Sequence, residues 1–546
     1  MTESNRPDGR TLVFGVDALC EGVLSRLPPG TAPTMRSLIA EGTSGPLESQ
    51  LPPWTPSAWP SIYTGVNPGK HGVYGFLRFT GYDWDVVNAT DVREHALWEL
   101  LSEQGLRSVV VNVPVTHPPA TFDGALIPGY TAPSDPDCHP EGLLDTVREE
   151  IGEYRLYNRQ LSEGATRDER VNGYETVTAQ RGDAFRFLIE REDPDFGFIQ
   201  FQQSDTVFHE FPEDADATER VYAAIDAEIE ETIEAVDPET VVLVSDHGIG
   251  PYDGYEVRPN SLLRDRGYVE TSTETELPSW SELSKREIRA DPSDGDADAS
   301  GGGGPSAAER VLSSMAAVGL TSQRIGTALR RLRLDGVVLK VVPSGMVKAA
   351  SEHVDFAGST AYMRDRIELG VRINLAGREP DGIVDPDEYE AVRSELIDLL
   401  TSLRTPDGTP AFENVVRREE VFEGPYVDEA PDIVVVPTTF DQYLTASVRE
   451  ETFGSPREPW NHKLHGTLAI AGDGIDAGEF DDAHLLDVAP TVLASFGLPP
   501  SDRMDGEVLA PFDAGPPDAY PEYQGATTST DDAAIEDRLA DLGYLE

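Results

Sequence analysis

Three separated pieces of the chain each place an Asp or His just past the end of an apolar, strand-like segment. Asp17 follows TLVFGV, Asp205 and His209 follow FGFIQFQQS, and Asp246 and His247 follow TVVLVS. Because open α/β sheets bind ligands at the carboxyl ends of their strands, we expect these side chains to converge. Carboxylate and imidazole groups without a thiolate suit zinc, manganese or iron at a hydrolytic centre. The pattern therefore predicts a metallohydrolase.

Each of these motifs has an ordinary structural explanation when it is taken alone. Asp205 and His209 are four residues apart, which places them on one face of a helical turn, but Asp205 would also serve as a helix N-cap. Asp246 and His247 precede a glycine, and Asp-His-Gly also occurs in turns. The occurrence of all of them, each after a different strand, is what favours a metal site.

A nucleophile is expected near such metals. The segment LPPWTPSAWPSIYTGVNPGKHGVYGF, residues 51 to 76, places hydroxyl groups beside Pro and Gly, as in a tight loop that leads into a helix. A hydroxyl at a helix N-terminus feels the helix dipole and can ionise when a metal binds its oxygen. Spacing alone does not choose among the candidates, which are Thr55, Ser57, Ser61 and Thr64.

The charge of the chain limits its partners. There are 99 acidic and 43 basic residues, for a net charge of −56, and the acids are spread through nearly every segment. Such a surface repels nucleic-acid phosphate, so a small-molecule substrate is expected. Only five of the basic residues are Lys, a composition that resembles proteins of salt-loving archaea. Molar salt shortens the Debye length to about 3 Å and relieves the self-repulsion.

The remaining composition predicts a soluble cytoplasmic protein. Cys20 and Cys138 are too few and too far apart for a disulfide framework or a cysteine metal site. The polar N-terminus, MTESNRPDGR, lacks the pattern of a signal peptide. No apolar run approaches the roughly 20 residues that a membrane-spanning helix needs.

The order of segments predicts an α/β fold with a mostly parallel sheet covered by helices on both faces. Residues 1–270 alternate strand-like segments (TLVFGV, RSVVVNVP, FGFIQFQQ, TVVLVS) with helix-like ones (HALWELLSEQG, TERVYAAIDAEIEETIEAV), and form the first part of a catalytic core. Residues 271–356 are predicted to be a flexible linker followed by an inserted helical cap. Residues 357–546 form the second part of the core, with strands at RIELGVRINLAG, DIVVVP and TLAIAG and a C-terminal helix.

The second helix of the predicted cap is basic in an otherwise acidic chain. It could attract an anionic substrate or provide peripheral contact with an anionic membrane surface. The alternative is a solvated helix face that packs against an acidic neighbour. The arginines of this helix are Arg324, Arg330, Arg331 and Arg333.

A series of motifs resembles a known family. FGVDALC, TPSAWPSIYTGVNPGKHGVYGF, LWELLSEQGLRSVVVNVPVTHPP, SDTVFHE, VSDHGIGP, INLAGREPDGIV, APDIVVV and DVAPTVLASFGLP occur in the order found in the alkaline phosphatase superfamily. The chain is most similar to its type I phosphodiesterase/nucleotide pyrophosphatase branch, which includes archaeal phosphohydrolases and phosphomutases. The resemblance covers nearly the whole chain except the linker and cap. It implies an alkaline-phosphatase-like fold.

The resemblance also implies a role for each site residue. One metal ion would be held by Asp17, Thr55, Asp246 and His247, with Thr55 as the nucleophile. Asp205, His209 and a late histidine would hold a second ion. NHKLHGTLAIAG offers both His462 and His465 for that position. The family pattern of a histidine four residues before the glycine favours His462, and His465 would then contact the substrate or a ligand.

The chemistry that follows from this resemblance is phosphoryl transfer. Two divalent ions about 4 Å apart, most simply Zn and alternatively Mn, would stabilise the attacking and leaving oxygens of an in-line displacement. Thr55 would form a phospho-threonine intermediate. Phosphodiesters or pyrophosphates of small molecules are the expected substrates. The alternatives are a phosphomonoesterase, a phosphomutase and a metal-free binding module of the same fold. A sulfatase is disfavoured because threonine is not a precursor of formylglycine.

One departure from the family pattern concerns the oxyanion. Nucleotide pyrophosphatases have an Asn a few residues past the His-Gly of the nucleophile segment, whereas this chain has Phe76 in that region. Lys70, Asn67, Asn112 or an arginine of the cap could replace it. The departure leaves open both nucleotide specificity and the choice between diester and monoester.

Overall fold

The computed structural model describes residues 9–158, 165–272, 353–523 and 525. In chain order, the strands are β1 (Thr11–Val16), β2 (Thr43–Glu48), β3 (Leu77–Thr80), β4 (Asp83–Val86), β5 (Ser108–Val111), β6 (Gly124–Ile127), β7 (Phe196–Phe201), β8 (Thr240–Val244), β9 (Gly248–Pro251), β10 (Glu256–Val257), β11 (Glu270–Ser272), β12 (His353–Asp355), β13 (Ala361–Tyr362), β14 (Gly370–Ile373), β15 (Phe412–Arg417), β16 (Ile433–Pro437), β17 (Tyr443–Leu444), β18 (Phe453–Gly454), β19 (Trp460–Lys463), β20 (His465–Gly472), β21 (Gly478–Glu479) and β22 (Ala483–His484). The α-helices are α1 (Glu21–Leu24), α2 (Pro33–Glu41), α3 (Thr55–Thr64), α4 (Pro68–His71), α5 (Leu97–Glu103), α6 (Leu143–Ile151), α7 (Arg167–Glu192), α8 (Gln203–Glu210), α9 (Ala215–Val236), α10 (Pro259–Asp265), α11 (Tyr389–Thr401) and α12 (Val488–Ser495).

The largest sheet within these residues has nine strands. Its order is β21-β2-β20-β8-β1-β7-β5-β6, and β22 pairs with β2. The neighbours from β8 to β6 are parallel, whereas β20 is antiparallel to both β8 and β2. The predicted mostly parallel sheet is therefore confirmed. Its carboxyl-terminal edge gathers the residues that follow β1, β7 and β8.

Helices cover both faces of this sheet. Because successive side chains of a strand point to opposite faces, Leu12 and Phe14 of β1 pack on one side and Val13 on the other. The first side is covered by α2, α6, α7 and α9, and the second by α3, α5 and α12. The helices predicted at HALWELLSEQG and TERVYAAIDAEIEETIEAV are confirmed as α5 and α9.

The later part of the chain contributes to more than one sheet. The strands predicted at RIELGVRINLAG and DIVVVP form β14 and β16, which pair antiparallel in a four-stranded sheet of their own with the order β13-β14-β16-β15. This sheet and α11 share an apolar core that includes Val371, Ile433 and Leu396. The strand predicted at TLAIAG is β20, and it returns to the central sheet.

Several predicted segments lie outside the described residues. They are the linker and the two cap helices, with their arginine cluster, and the C-terminal helix at DDAAIEDRLADLGYLE. The proposed boundaries of the 271–356 insertion therefore stay a prediction. In the parts of the chain that are described, no helix is long and apolar enough to cross a membrane.

A close contact between β1 and α3 links the core to the predicted site. A Cβ added at Gly15 would lie 2.5 Å from the ring of Trp59, whose indole N–H donates a hydrogen bond to Asp17 (3.2 Å). Gly15→Ala is therefore expected to lower the free energy of unfolding by about 1–3 kcal/mol, because Trp59 must move in a packed core. Denaturant unfolding measures the change. Gly30→Ala is the control, since a Cβ there meets no atom within 4 Å, and equal stability of the two variants would contradict the prediction.

Candidate active site

Asp17 is held at the end of β1 by contacts from two other elements. Its backbone N–H donates to the carbonyl of Phe201, the last residue of β7 (3.2 Å). Its Oδ2 accepts hydrogen bonds from Gln200 (2.8 Å) and Trp59 (3.2 Å). Its Oδ1 is buried without a hydrogen-bond partner and lies 3.6 Å from Nε2 of His247. One oxygen is thus used for positioning, and the other faces the site.

Asp246 and His247 follow β8 and are arranged in the same way. Asp246 Oδ1 accepts a hydrogen bond from the N–H of Ala18 (3.3 Å), whereas Oδ2 has no hydrogen-bond partner and lies 3.2 Å from His247 Nε2. His247 Nδ1 lies 3.0 Å from the carbonyl of Gly248. When Nδ1 donates to that carbonyl, Nε2 carries the lone pair that a metal ligand needs.

Asp205 and His209 lie one turn apart on α8, as their spacing predicts. His209 Nε2 is 3.2 Å from Asp205 Oδ1, and this oxygen has no hydrogen-bond partner. Asp205 is buried in the first turn of α8, which begins two residues after the end of β7. The i, i+4 pair therefore presents a carboxylate oxygen and an imidazole nitrogen to the same point.

His462 reaches the site because β19 pairs with β9, the strand that follows His247. His462 lies opposite Ile249 in this pairing, and its ring stacks on that of His247 with centroids 3.7 Å apart. Its Nε2 is 3.5 Å from Asp205 Oδ1, and its Nδ1 is 3.1 Å from the carbonyl of Pro53. His465 instead begins β20 and is exposed. Of the two candidate histidines, the fold thus brings His462 to the site.

These residues form two groups with the chemistry of metal ligands. The ligand atoms of Asp17, Asp246 and His247 all lie within 4.8 Å of one another, and so do those of Asp205, His247 and His462. One oxygen each of Asp17, Asp205 and Asp246 is buried without a hydrogen-bond partner among the described residues. Burial of such carboxylates costs free energy unless a cation is present. Oxygen and imidazole nitrogen are suitable donors for divalent zinc or manganese. The residues present therefore fit the predicted metals.

The electrostatics of the cluster agree with this fit. Burial, with the neighbouring carboxylates Asp246 and Asp205, raises the pKa of Asp17. Burial and Asp205 likewise raise the pKa of Asp246. Burial also acts to raise the pKa of Asp205, but His209 and His462 lower it below its usual value. Burial lowers the pKa of His247, and His462 lowers it further. Burial therefore disfavours the ionised forms of Asp17 and Asp246 and favours neutral His247, whereas the two histidines keep Asp205 ionised.

The four candidate hydroxyl groups differ in their contacts. Thr55 begins α3, and its Oγ1 lies 3.4 Å from His247 Nε2. Ser57 donates to the carbonyl of Val73 (3.1 Å), Ser61 lies 2.8 Å from a ring nitrogen of His71, and Thr64 donates to the carbonyl of Pro60 (2.6 Å). Among the four, Thr55 is the one that contacts the cluster.

The side chains that could replace the family's oxyanion-binding Asn also differ in their contacts. Phe76 is buried in an apolar cluster. Lys70 pairs with Asp505, and Asn67 caps α4 and also contacts Asp505, so both are engaged elsewhere. Asn112 donates to Gln200 Oε1 (2.8 Å), and Gln200 holds Asp17. Asn112 is thus the candidate connected to the site, and the arginines of the cap lie outside the described residues.

Sequence reasoning missed the groups that orient these side chains. They include Gln200 and Trp59, which hold Asp17, and the carbonyl of Pro53, which contacts His462. Gln200 carried a detectable signal, because it is a polar residue inside the apolar strand FGFIQF. Trp59 and Pro53 gave none, since a buried tryptophan and a loop carbonyl are common in any fold.

Comparison with protein families gives a match over most of the chain. Residues 11–320 match the family described as type I phosphodiesterase / nucleotide pyrophosphatase. This range contains Asp17, Thr55, Asp205, His209 and the Asp246-His247 pair. No match was found among curated proteins.

Solved structures are similar to the chain at low sequence identity. Phosphonoacetate hydrolase from Sinorhizobium meliloti 1021, in complex with phosphonoformate, matches with a TM-score of 0.51 and 13% identity, over 88% of this chain and 94% of that one. Wild-type alkaline phosphatase PafA matches at 0.46 and 14%, over 90% and 96%. Human ectonucleotide pyrophosphatase / phosphodiesterase 5 matches at 0.45 and 11%, over 94% and 97%.

Proposed function

The chain belongs to the type I phosphodiesterase/nucleotide pyrophosphatase family and is a hydrolase of phosphoric esters. We propose that it cleaves phosphodiester or pyrophosphate bonds of small molecules with Thr55 as the nucleophile. The observation that carries the proposal is the placement of the Thr55 hydroxyl 3.4 Å from His247, beside three buried carboxylates that each keep one oxygen without a hydrogen-bond partner. The net charge of −56 supports a small substrate rather than nucleic acid.

We assign the residues to two divalent ions, Zn or Mn. Asp17, Thr55, Asp246 and His247 would hold one ion. Asp205, His209 and His462 would hold the other. When bound, the two ions supply the positive charge that stabilises the attacking and leaving oxygens in phosphoryl transfer. Gln200, Trp59 and the loop carbonyls described above fix the directions of these ligands.

The position of Thr55 in α3 supports its proposed role as the nucleophile. It is the first residue of a ten-residue helix, and its neighbour Pro56 fits the first turn, where no backbone N–H donor is needed. The positive end of the helix dipole favours the Thr55 alkoxide over the neutral hydroxyl.

The proposed reaction has two balanced steps. The Thr55 oxygen bonds to phosphorus while the bond from phosphorus to the leaving alcohol oxygen breaks, and the leaving oxygen takes up a proton. Water then attacks the phosphorus of the phospho-threonine and the Thr55 Oγ1–P bond breaks; one proton of the water passes to Thr55, and the water oxygen leaves with the phosphate.

Turnover and metal content of the wild-type protein test the proposal. Protein purified in high salt is expected to contain about two Zn or Mn ions per chain and to hydrolyse bis(p-nitrophenyl) phosphate faster than p-nitrophenyl phosphate. Chelation is expected to abolish turnover and to lower the melting temperature. A ligand that binds only the folded state stabilises it by about 3–4 kcal/mol when the free ligand concentration is 100 to 1,000 times its Kd, and removal of the metal loses this stabilisation. Elemental analysis, initial rates and thermal unfolding are the measurements.

Two results would overturn the proposal in different ways. Faster turnover of the monoester would favour a phosphomonoesterase or, if the phosphoryl group passes to an alcohol, a phosphomutase. No metal and no turnover, even after Zn and Mn are added, would make a binding module of the same fold the better explanation.

A further inference from the structure

A pocket lined by Arg181 lies next to the metal-ligand cluster, between α7, α8 and the end of β5. It is partly open to solvent. Among the described residues that line it, none is acidic, and the one charged side chain is Arg181. The others include Asn112, Tyr130, Tyr157 and Gln203. A cationic pocket is unexpected in a chain with a net charge of −56.

Arg181 differs from the other deeply buried arginines of the described structure. Each of the others pairs with a carboxylate: Arg366 with Glu458, Arg372 with Glu379, Arg393 with Glu419, and Arg418 with Asp432. Arg181 is 2% exposed and has no carboxylate within ion-pair distance in the described residues.

The hydrogen bonds of Arg181 are few and go to neutral groups. It donates to the carbonyl of Leu156 (3.0 Å) and to the side-chain oxygen of Gln203, and its Nε–H has no hydrogen-bond partner. Burial lowers its pKa to about 10, so it stays cationic at neutral pH. A buried cation without a counter-ion costs free energy, which an anionic ligand would offset.

The pocket is joined to the Asp17 side of the cluster by one residue. Gln200 Nε2 donates to Asp17 (2.8 Å) and to Gln202 Oε1 (3.1 Å), and Gln200 Oε1 accepts from Asn112 (2.8 Å). Gln202 and Asn112 both line the pocket. A group bound there is therefore next to the residues that hold Asp17.

The pocket also borders the helix that carries Asp205 and His209. Its residues Gln203 and Thr206 lie on α8, on either side of Asp205. Thr206 directly follows Asp205, so the pocket lies one residue along α8 from a side chain assigned to the second ion.

We propose that this pocket binds an anionic group of the substrate, a phosphate or a carboxylate, separate from the phosphoryl group that Thr55 attacks. The inference rests on the proposed function and specifies its substrate class, namely small phosphoric esters or pyrophosphates that carry a second anion. Arg181 provides the charge-assisted hydrogen bonds. Asn112 Oδ1, which is buried without a hydrogen-bond partner, can accept a hydrogen bond from a substrate hydroxyl.

Three matched p-nitrophenyl phosphodiesters test the proposal with the metal-loaded full-length protein. Their second ester group is ethyl, 2-carboxyethyl or 2-phosphoethyl, so they differ in the added anion. The readout is the ratio of kcat/KM for each anionic ester to that for the ethyl ester. We expect at least one ratio to exceed about 10 in the wild type and to fall by about 10- to 100-fold in Arg181→Gln. The larger ratio identifies carboxylate or phosphate as the preferred group.

Two further variants keep the test independent of folding. Arg191→Gln removes a charge from the exposed end of the same helix and is expected to keep the wild-type ratios. Thr206→Asp adds a negative charge to the pocket lining and is expected to lower the ratios without removing Arg181. If Arg181→Gln does not fold, the Thr206→Asp ratios decide.

The outcomes separate the two proposals. A structural role for Arg181 would lower kcat/KM for all three esters by the same factor and leave the ratios unchanged, which would overturn the pocket proposal. Wild-type ratios near one would overturn it too, while turnover of the ethyl ester would leave the proposed function standing. No turnover of any ester by the wild type would instead contradict the proposed function.

Discussion

Replacing Thr55 by alanine is expected to lower kcat for bis(p-nitrophenyl) phosphate by about 10³-fold or more, because the variant lacks the oxygen that would attack phosphorus. The hydroxyl lies 3.4 Å from His247 at the start of α3. Steady-state rates with metal-loaded protein measure the loss. Rapid quench of the wild type should also reveal phosphate bound covalently to the protein, with none in Thr55→Ala.

Thr64→Ala is the matched control for Thr55→Ala. Both threonines belong to α3 and both are buried, but the Thr64 hydroxyl donates to the carbonyl of Pro60 at the other end of the helix. We expect Thr64→Ala to retain most of the turnover. If the two variants lose activity equally, damage to α3 and not loss of a nucleophile explains the effect.

Replacing His462 by alanine is expected to reduce bound metal from about two ions per chain to about one and to lower kcat/KM at least about 100-fold. His462 Nε2 lies 3.5 Å from Asp205 and 3.3 Å from His209, so the variant loses one of the side chains assigned to the second ion. Elemental analysis and turnover of the diester are measured on the same preparation.

The neighbouring His465 gives a sharp control for His462. His465→Ala lies three residues further along, at an exposed position at the start of β20, and is expected to keep the wild-type metal content and turnover. Loss of metal in His465→Ala with retention in His462→Ala would reverse the assignment. If both variants retain the wild-type metal content, neither His462 nor His465 is a metal ligand.

Much of the fold was predictable because strand and helix periodicity is local. The apolar runs of β1, β5, β7 and β8 and the helical stripe of α9 are visible in short windows of sequence. Which strands become neighbours is not determined by local sequence. RIELGVRINLAG and DIVVVP look like further strands of the same sheet, but they pair in a separate antiparallel sheet with α11. Pairing depends on which apolar faces must be covered, and one segment does not contain that information.

The candidate site was predictable in part for a related reason. The sequence by itself determined that the residues after β1, β7 and β8 lie close together, because the carboxyl ends of parallel strands must share one edge of the sheet. The i, i+4 geometry of Asp205 and His209 was also determined locally, by the pitch of a helix.

Only the tertiary structure distinguished Thr55 from Ser57, Ser61 and Thr64, and His462 from His465. In both cases the choice depends on contacts with residues roughly 190 to 250 positions away, such as Thr55 with His247 and His462 with Asp205. The same holds for Arg181, an unremarkable arginine of a long helix in the sequence. That it has no carboxylate partner among the described residues becomes evident only when α7, α8 and β5 pack around one pocket, since burial and pairing are properties of the folded chain.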